Sequence, residues 1–402
     1  MSSPEHNEKA LSELYRHTLV EDVLPFWLRF GLDREHGGVI TALDRDGSIL
    51  DTDKVIWFQG RAAWMYATAF LTVERRPEWL DAAKSCIAFL RQFASDASGK
   101  MYFLVSRTGQ PLRMRRYVYS ESFAAIASAA YAGAAGDGRA ADEAVTAFDR
   151  YIDHSFTPGR MEAKVDPSSR PMIGAGPRMI GIATAQEIRQ HLGEIRIRGR
   201  TPSEWIDCWI DDIERLFFKP ELGAMMETVA PDGAIIDHYD GRLLNPGHAI
   251  EASWFIMHEG RHRADQRLIR LGTAILECMW KRGWDEHYGG LFYFRDLRNL
   301  PVQEYWQDMK FWWPHNEAVI ATLLAWKLTG DPKFREMHRV VHNWSFEHFA
   351  DSEHGEWYGY LHRDGTPSSR AKGTLWKGPF HLPRMLWYCH RLLTPEGTGQ
   401  EP

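Results

Sequence analysis

Two histidines that lie far apart in the chain are the strongest candidates for acid–base chemistry. His248 lies in the stretch NPGHAIEASW, three residues before Glu251, and His381 lies in WKGPFHLPR. Residues three apart share one face of a helix, so we expect His248 and Glu251 on the same face. An imidazole has a pKa near 6.5 and can take up and return a proton at neutral pH. Two imidazoles that met in one cavity could therefore move a carbon-bound proton without a metal or cofactor.

Other stretches at the starts of predicted helices also combine charged and aromatic side chains. They supply Trp57, Arg61, Glu121, Lys310, Trp313, Glu317 and Trp376. An aromatic wall with a few directed polar groups suits a sugar, whose C–H faces stack on indole rings and whose hydroxyls bind charged groups. We therefore expect one carbohydrate pocket. A proton next to the carbonyl of an open-chain aldose is acidic enough for a histidine base if Arg61 or another donor stabilises the enediolate oxygen.

Short glycine-punctuated segments recur along the chain and would lie beside these helix starts. Each alternates apolar and polar residues and ends at a turn such as Asp-Gly or Thr-Gly, a pattern typical of a β-hairpin. Five such segments are present, at residues 34–47, 98–109, 222–233, 285–296 and 354–365.

About twelve helical segments lie between the hairpins, and their character alternates. Segment 202–217 carries one apolar stripe and many charges, as an outer layer would. Segments 59–73, 119–134 and 313–329 are apolar or small on nearly every side, as an inner layer would be. Repeated about six times, this alternation predicts a closed ring of helix pairs, with the hairpins at the mouth where the inner helices begin. No linker divides the chain, so we expect one domain over residues 1–402.

Composition argues against several classes of function. The net charge is −6 and the charges are interspersed, so a nucleic-acid surface is not expected. The chain has no signal-peptide pattern and no apolar run near the ~18 residues that a membrane span needs. Four well-separated cysteines fit free thiols in a reducing compartment, and a cytoplasmic location is expected. No zinc signature, dinucleotide loop or nucleophile elbow occurs, so no catalytic metal is expected.

Six motifs resemble those of the N-acylglucosamine 2-epimerase family, also called the renin-binding protein family. In chain order they are FQGRAAWMY, NPGHAIEASWF, GWDEHYGGLFYF, KFWWPHNEA, HGEWYGYLHRDG and WKGPFHLPR. The resemblance implies an all-α (α/α)6 barrel, a homodimer and a monosaccharide substrate. It also implies interconversion of N-acyl-D-glucosamine and N-acyl-D-mannosamine by proton transfer at C2. The chemistry would need no cofactor, although some members require ATP as an allosteric activator.

The resemblance also implies roles for individual residues. His248 and His381 would be the acid–base pair on opposite faces of the sugar. Arg61 would bind near O1 and O5, and Glu251 and Glu317 would orient the histidines. Trp57, Lys310, Trp313 and Trp376 would line the pocket.

Two departures from the family pattern leave the substrate open. Cellobiose 2-epimerases of this family carry a further histidine on the inner helix near residues 176–190, and this chain has none there. Arg178 stands where the N-acylglucosamine branch usually has an apolar residue. An epimerase or aldose–ketose isomerase acting on a neutral sugar such as mannose or cellobiose is the main alternative. A glycoside hydrolase that uses two carboxylates and a protein-binding role are the others.

Overall fold

The computed structural model describes residues 8–114, 117–162 and 165–394. Twelve helices form a closed ring over most of these residues, and shorter helical turns occur besides them. In chain order they are α1 (Glu8–His17), α2 (Ile56–Thr72), α3 (Pro77–Phe93), α4 (Tyr119–Ala135), α5 (Gly138–Phe156), α6 (Gly176–Leu192), α7 (Pro202–Asp212), α8 (Pro246–His262), α9 (Gln266–Gly283), α10 (Trp312–Thr329), α11 (Pro332–Phe349) and α12 (His381–Leu393). Helix α1 continues through further helical turns to Gly31, and α7 continues through a π-helical turn, Ile213–Phe217.

The even-numbered helices form the inner layer and the odd-numbered helices the outer layer, as the sequence predicts. Every residue of α10 from Trp312 to Ala325 is buried, whereas α5 and α9 each bury one face. Each inner helix packs against the next inner helix, and α12 packs against both α2 and α1. The ring is therefore closed, which confirms the (α/α)6 barrel.

Short antiparallel strands connect the starts of the inner helices. They are β1 (Lys54–Val55), β2 (Leu104–Val105), β3 (Pro111–Arg113), β4 (Ile173–Gly174), β5 (Phe218–Lys219), β6 (Ala224–Met225), β7 (Thr228–Val229), β8 (Leu243–Leu244), β9 (Arg295–Asp296), β10 (Lys310–Phe311) and β11 (Tyr360–Leu361). Strands β1, β4, β8 and β10 each lead into an inner helix and pair with β2, β7, β9 and β11 in that order. Most of the pairing therefore joins successive repeats, so these segments connect neighbouring inner helices at the mouth.

Buried ion pairs also join the mouth segments. In three places an aspartate binds a buried lysine and an arginine from a neighbouring mouth segment. The sets are Asp33 with Lys54 and Arg107, Asp285 with Lys310 and Arg363, and Asp351 with Lys372 and Arg45. The pair between Asp351 and Arg45 joins the last mouth segment to the first, so the ring is closed at its rim as well as between its helices.

Two other sequence-based expectations can be compared with the described residues. The four cysteines are free thiols, and Cys86 and Cys389 are buried. No helix in the described ranges is both long and apolar enough to cross a lipid bilayer.

Candidate active site

The two candidate histidines both lie close to one tryptophan at the mouth of the barrel. His248 is in the first turn of α8 and His381 is the first residue of α12. The ring centroid of Trp313, in the first turn of α10, lies 5.0 Å from that of His248 and 5.8 Å from that of His381. Closure of the ring therefore brings together two imidazoles that are 133 residues apart in the sequence.

A buried network of charges holds His381 from beneath. Its Nδ1 lies 2.7 Å from Glu317 Oε1. The guanidinium of Arg384, one turn later on α12, donates from Nη2 to Glu251 Oε1 and to Glu317 Oε1, at 2.6 Å each. The second Glu317 oxygen accepts the indole N–H of Trp254 at 2.7 Å. Because the ionised carboxylate accepts, Nδ1 of His381 carries its proton and Nε2 has the free electron pair.

The surroundings of His381 favour its neutral form. Burial, and then the positive charges of Arg61 and Arg384, hold the pKa of His381 well below its usual value. Within the described part of the chain, Nε2 of His381 has no hydrogen-bond partner, and it is not sealed from solvent. A neutral imidazole with a free nitrogen next to open space can act as a general base.

His248 has a carboxylate partner of its own and the opposite pKa shift. The side chain of Asn245 accepts the His248 backbone N–H and caps α8, which fixes the start of that helix. The Nδ1 of His248 lies 3.0 and 3.1 Å from the two carboxylate oxygens of Glu227. Burial lowers the pKa of His248, but the carboxylates of Glu227, Glu251 and Glu317 together raise it by more, so the pKa lies above its usual value. His248 therefore holds a proton at neutral pH more readily than His381 does.

Arg61 is a buried cation enclosed by aromatic rings. Its guanidinium carbon lies 4.1 Å from the ring centre of Phe123, 4.6 Å from that of Phe380 and 5.1 Å from that of Trp57. Burial, aided by Arg384, lowers the pKa of Arg61 to about 9, so it stays protonated at neutral pH. Its Nε is buried without a hydrogen-bond partner among the described residues. A buried charge without a hydrogen-bonded carboxylate is costly, and an oxygen of a bound ligand could supply that partner.

Aromatic side chains form the wall of the site. The rings of Trp57 and Tyr117 are stacked with their centroids 6.3 Å apart, and Trp376 lies 5.7 Å from Trp57. Trp376 is 44% exposed, whereas Trp57 is 7% exposed, so the wall runs from solvent into the barrel. Such a graded aromatic surface suits a sugar that enters from the mouth.

Two residues that the sequence places in this pocket lie elsewhere. Glu121 accepts the backbone N–H of Met101 in the adjacent mouth segment. Glu121 lies two residues from Tyr119 and two from Phe123, the residue that contacts Arg61. Two residues correspond to a rotation of about 200° around a helix, so Glu121 is on a different face of α4 from Phe123. Lys310 is fully buried against Asp285, at 3.0 Å, in one of the ion pairs of the rim. Neither side chain therefore reaches the two histidines.

Three side chains of the cluster have the geometry of a metal site, but a cation already lies among them. One ligand atom each from Glu251, Glu317 and His381 can be chosen so that all three lie within 4.8 Å of one another. The Arg384 guanidinium binds both carboxylates, and its positive charge occupies the place that a metal ion would take. The donor set therefore fits an arginine-centred network better than a metal centre.

Sequence reasoning missed the partner of His248, and it placed Arg384 at the mouth without assigning it a role as the centre of the charge network. Glu227 is the charged residue in a mouth segment of otherwise apolar character, AMMETVA, and that contrast was the available signal. Arg384 lies three residues after His381, hence on the same face of α12, and this spacing pointed to it.

Comparison with known proteins identifies the family of this chain. Residues 38–381 match the family model described as N-acylglucosamine 2-epimerase (GlcNAc 2-epimerase). The chain belongs to the N-acylglucosamine 2-epimerase family. It is thus a carbohydrate epimerase, an isomerase that acts on sugars at C2.

The relatives within this family act on different sugars, according to their names. The N-acylglucosamine 2-epimerase of Bos taurus is 36% identical over 387 residues, which cover 93% of this chain and 89% of the bovine protein. The cellobiose 2-epimerase of Ruminococcus albus is 27% identical over 404 residues, which cover 96% of this chain and 98% of that protein. Among solved structures, the cellobiose 2-epimerase of Bacillus thermoamylovorans superposes with a TM-score of 0.81 at 22% identity and covers 96% of this chain and 99% of its own. That structural likeness concerns the fold.

Proposed function

We propose that this epimerase interconverts N-acyl-D-glucosamine and N-acyl-D-mannosamine through an enolate, using His381 and His248 as the two acid–base groups. The observation that carries the proposal is that two imidazoles, each held at Nδ1 by a glutamate, approach the same tryptophan, Trp313. Their Nε2 atoms could then serve the two faces of C2 in one bound open-chain sugar.

The pKa shifts assign a starting role to each histidine. In the open-chain sugar, neutral His381 takes the C2 proton at Nε2, the C–H electron pair forms the C1–C2 double bond of the enolate, and the electron pair of the C1 carbonyl moves to O1. The charge on O1 is stabilised by the guanidinium of Arg61. Protonated His248 then gives its proton to the opposite face of C2, and the C1 carbonyl forms again. Proton exchange with solvent returns the histidines to their starting states, which the 36% exposure of the His248 side chain permits.

The acetamido substrate is favoured by similarity and is compatible with the position of Arg178. The bovine relative, named for N-acylglucosamine, is 36% identical to this chain, against 27% for the cellobiose relative. The Nε of Arg178 donates to Asp212 on the outer helix α7 at 3.0 Å, and its Nη1 donates to Gly174 O at 3.2 Å. Arg178 is thus bound to the outer helix α7 and to strand β4, so its charge is paired within the barrel wall and does not argue against an acyl group in the pocket.

The remaining expectations stay predictions of the sequence and its family resemblance. They are a single domain over residues 1–402, catalysis without a cofactor, ATP as an allosteric activator, a homodimer and a cytoplasmic location. Parallel assays with and without ATP, and the mass of the protein in solution, test the two that concern activity and assembly.

The deciding experiment follows the C2 proton of N-acetyl-D-mannosamine by NMR in D2O. We expect N-acetyl-D-glucosamine that carries deuterium at C2, and no ketose. In the single variants His248→Asn and His381→Asn, epimerisation should stop, while the remaining histidine can still exchange the C2 proton of one of the two sugars. If a double variant with both histidines replaced by asparagine retains turnover, the assignment of the two histidines is wrong.

A second candidate is the same chemistry on a neutral sugar, and the cellobiose 2-epimerase relative from R. albus favours it. Mannose and cellobiose assayed beside N-acetyl-D-mannosamine separate the two. The larger kcat/KM identifies the substrate class, and a ketose product identifies an aldose–ketose isomerase. Release of reducing ends from an oligosaccharide would instead indicate glycoside hydrolysis.

A further inference from the structure

Three mouth segments begin with the same six-residue turn, and in one of them a glutamate stands where the others have glycine. The turns are Asp33–Gly38, Asp285–Gly290 and Asp351–Glu356. In each, the aspartate accepts backbone N–H groups two and three residues later. The last residue of each turn has a left-handed backbone, with φ of 70° at Gly38, 71° at Gly290 and 54° at Glu356. A residue with a Cβ adopts this conformation at a cost, so the Glu356 side chain must contribute something that glycine cannot.

The carboxylate of Glu356 is fully enclosed and accepts three hydrogen bonds from described residues. Its Oε1 accepts the indole N–H of Trp27 at 3.2 Å, and its Oε2 accepts the backbone N–H of Trp357 at 2.6 Å. The Oε2 also accepts a charged hydrogen bond from the ammonium of Lys377. Glu356 therefore links Trp27, which lies just before the first mouth segment, to the loop that precedes α12.

Lys377 is buried and anchors that loop. Its Nζ also donates to the backbone oxygen of Lys372 at 2.8 Å. Its alkyl chain crosses Gly359 so closely that a Cβ there would lie 2.8 Å from the Lys377 Cδ. The side chain of Thr374 accepts the backbone N–H of Lys377 at 3.1 Å, which closes a tight turn over residues 374–377. This turn carries Trp376 and ends four residues before His381.

The contrast with the rest of the rim shows that this pair is an addition to the repeat. Lys54, Lys310 and Lys372 each bind the aspartate of a mouth turn. Lys377 instead binds the glutamate at the position that is glycine in the two sister turns. This extra ion pair joins the mouth turn Asp351–Glu356 to the loop that leads to His381, a proposed catalytic histidine.

We propose that Glu356 and Lys377 are positioning residues, which hold the turn at 374–377 and through it set Trp376 and His381 in the site. This inference rests on the proposed function for its kinetic readout. A loosened turn would misplace His381 relative to C2, and a displacement of about 1 Å can slow an enzyme about 100-fold. It would also expose His381 to water, and since burial is the first cause of its low pKa, the acid limb of the pH profile would move upward.

The test uses two variants and a matched control. One variant is Glu356→Gln, and the other is a double variant that combines Glu356→Gly and Lys377→Met. The double variant restores the glycine of the sister turns and removes the cation that would otherwise be left unpaired, so it is the variant expected to fold best. The control is Glu259→Gln, which removes a fully buried carboxylate bound by Arg189 near the C-terminal ends of α6 and α8, away from the mouth. We expect kcat to fall about 10-fold to 100-fold in both test variants, with the acid limb of kcat/KM at higher pH. The control should lose thermal stability while its pH profile stays that of the wild type.

Hydrogen–deuterium exchange of residues 372–381 gives a readout that needs no turnover, and faster exchange is expected in both test variants but not in the control. The inference is overturned if the folded double variant exchanges at the wild-type rate in this segment and keeps the wild-type kcat, KM and pH profile. Failure of the wild-type chain to epimerise any sugar would instead overturn the proposed function and leave the exchange result to decide the positioning role.

Discussion

Replacing Glu227 with glutamine tests how the barrel sets the charge of His248. Glutamine keeps the size and one acceptor oxygen of the side chain but removes its charge. The His248 Nδ1 lies 3.0 Å from the nearer carboxylate oxygen. Opposite unit charges at that distance attract by about 5 kcal/mol at an effective dielectric constant of 20. The His248 side chain is 36% exposed, so solvent screens this attraction, and we take the roughly 1.5 to 3 kcal/mol that a hydrogen bond to a charged group contributes. At about 1.4 kcal/mol per pH unit, the pKa of His248 should fall by about 1 to 2 pH units.

The assay is the pH dependence of kcat/KM for 2-epimerisation of the best sugar. The proposed mechanism needs neutral His381 and protonated His248, so the alkaline limb of the profile reports the pKa of His248. In the Glu227→Gln variant this limb should move down by about 1 to 2 pH units, and kcat/KM above the limb should fall about 10-fold to 100-fold. The acid limb, which reports His381, should stay in place.

Glu221→Gln is the matched control, because Glu221 lies in the same mouth region and its side chain is exposed. It should leave both limbs where they are. A Glu227→Gln profile that superimposes on the wild type would refute the reasoning. A shift of the acid limb alone would reverse the roles of the two histidines.

Three further predictions concern buried groups. Arg61→Met should lower kcat/KM about 100-fold or more and leave the melting temperature unchanged or higher, because it removes a buried charge that has no hydrogen-bonded carboxylate. Burial lowers the pKa of His338 to about 3 and that of His342 to about 4, so the unfolded chain binds protons below about pH 6.5 that the folded chain refuses. These two histidines together should lower the free energy of unfolding by about 4 kcal/mol from pH 7 to pH 5, measured by urea denaturation, and a His342→Leu variant should lose about half of that pH dependence. Burial raises the pKa of Glu121 to about 7, so its contribution to stability falls as pH rises from 4.5 to about 7. Glu121→Gln should remove this loss of stability with rising pH and keep full activity. A fall in kcat would indicate instead that Glu121 takes part in the active site.

The ring of helices could be predicted from the sequence because its signals are local. Inner helices such as 313–329 are apolar on every side and outer helices carry one stripe, and the structure gives Trp312–Thr329 for that segment. The starts of the inner helices meet at one mouth once the ring closes. His248, Trp313 and His381 were therefore predictable as neighbours, although no local pattern connects them.

The direction of each side chain at the mouth was harder to predict, because it depends on rotation about a helix. Trp57 and Arg61 are four residues apart on α2, and Trp313 and Glu317 have the same spacing on α10, so both pairs face the axis. Glu121 is out of phase with that face, and aligning the helix starts with one another would have shown it. The Asp285 partner of Lys310 could not be read from local sequence, since it lies in the preceding mouth segment and is matched only by the fold.

The pairing of histidine with glutamate does not by itself decide which histidine is the acid and which the base. His248 and His381 each present Nδ1 to a carboxylate, which alone would raise the pKa of both. The difference comes first from the deeper burial of His381 and then from the cations Arg61 and Arg384 beside it, all of which lower its pKa. Arg384 binds Glu317 and Glu251 at once and so offsets the charge that would otherwise stabilise an imidazolium. Glu317 can therefore fix the tautomer and orientation of His381 while the imidazole stays neutral, whereas Glu227 both orients and charges His248. A variant that removes Arg384 should accordingly shift His381 toward the behaviour of His248, and the two roles would then lose their separation.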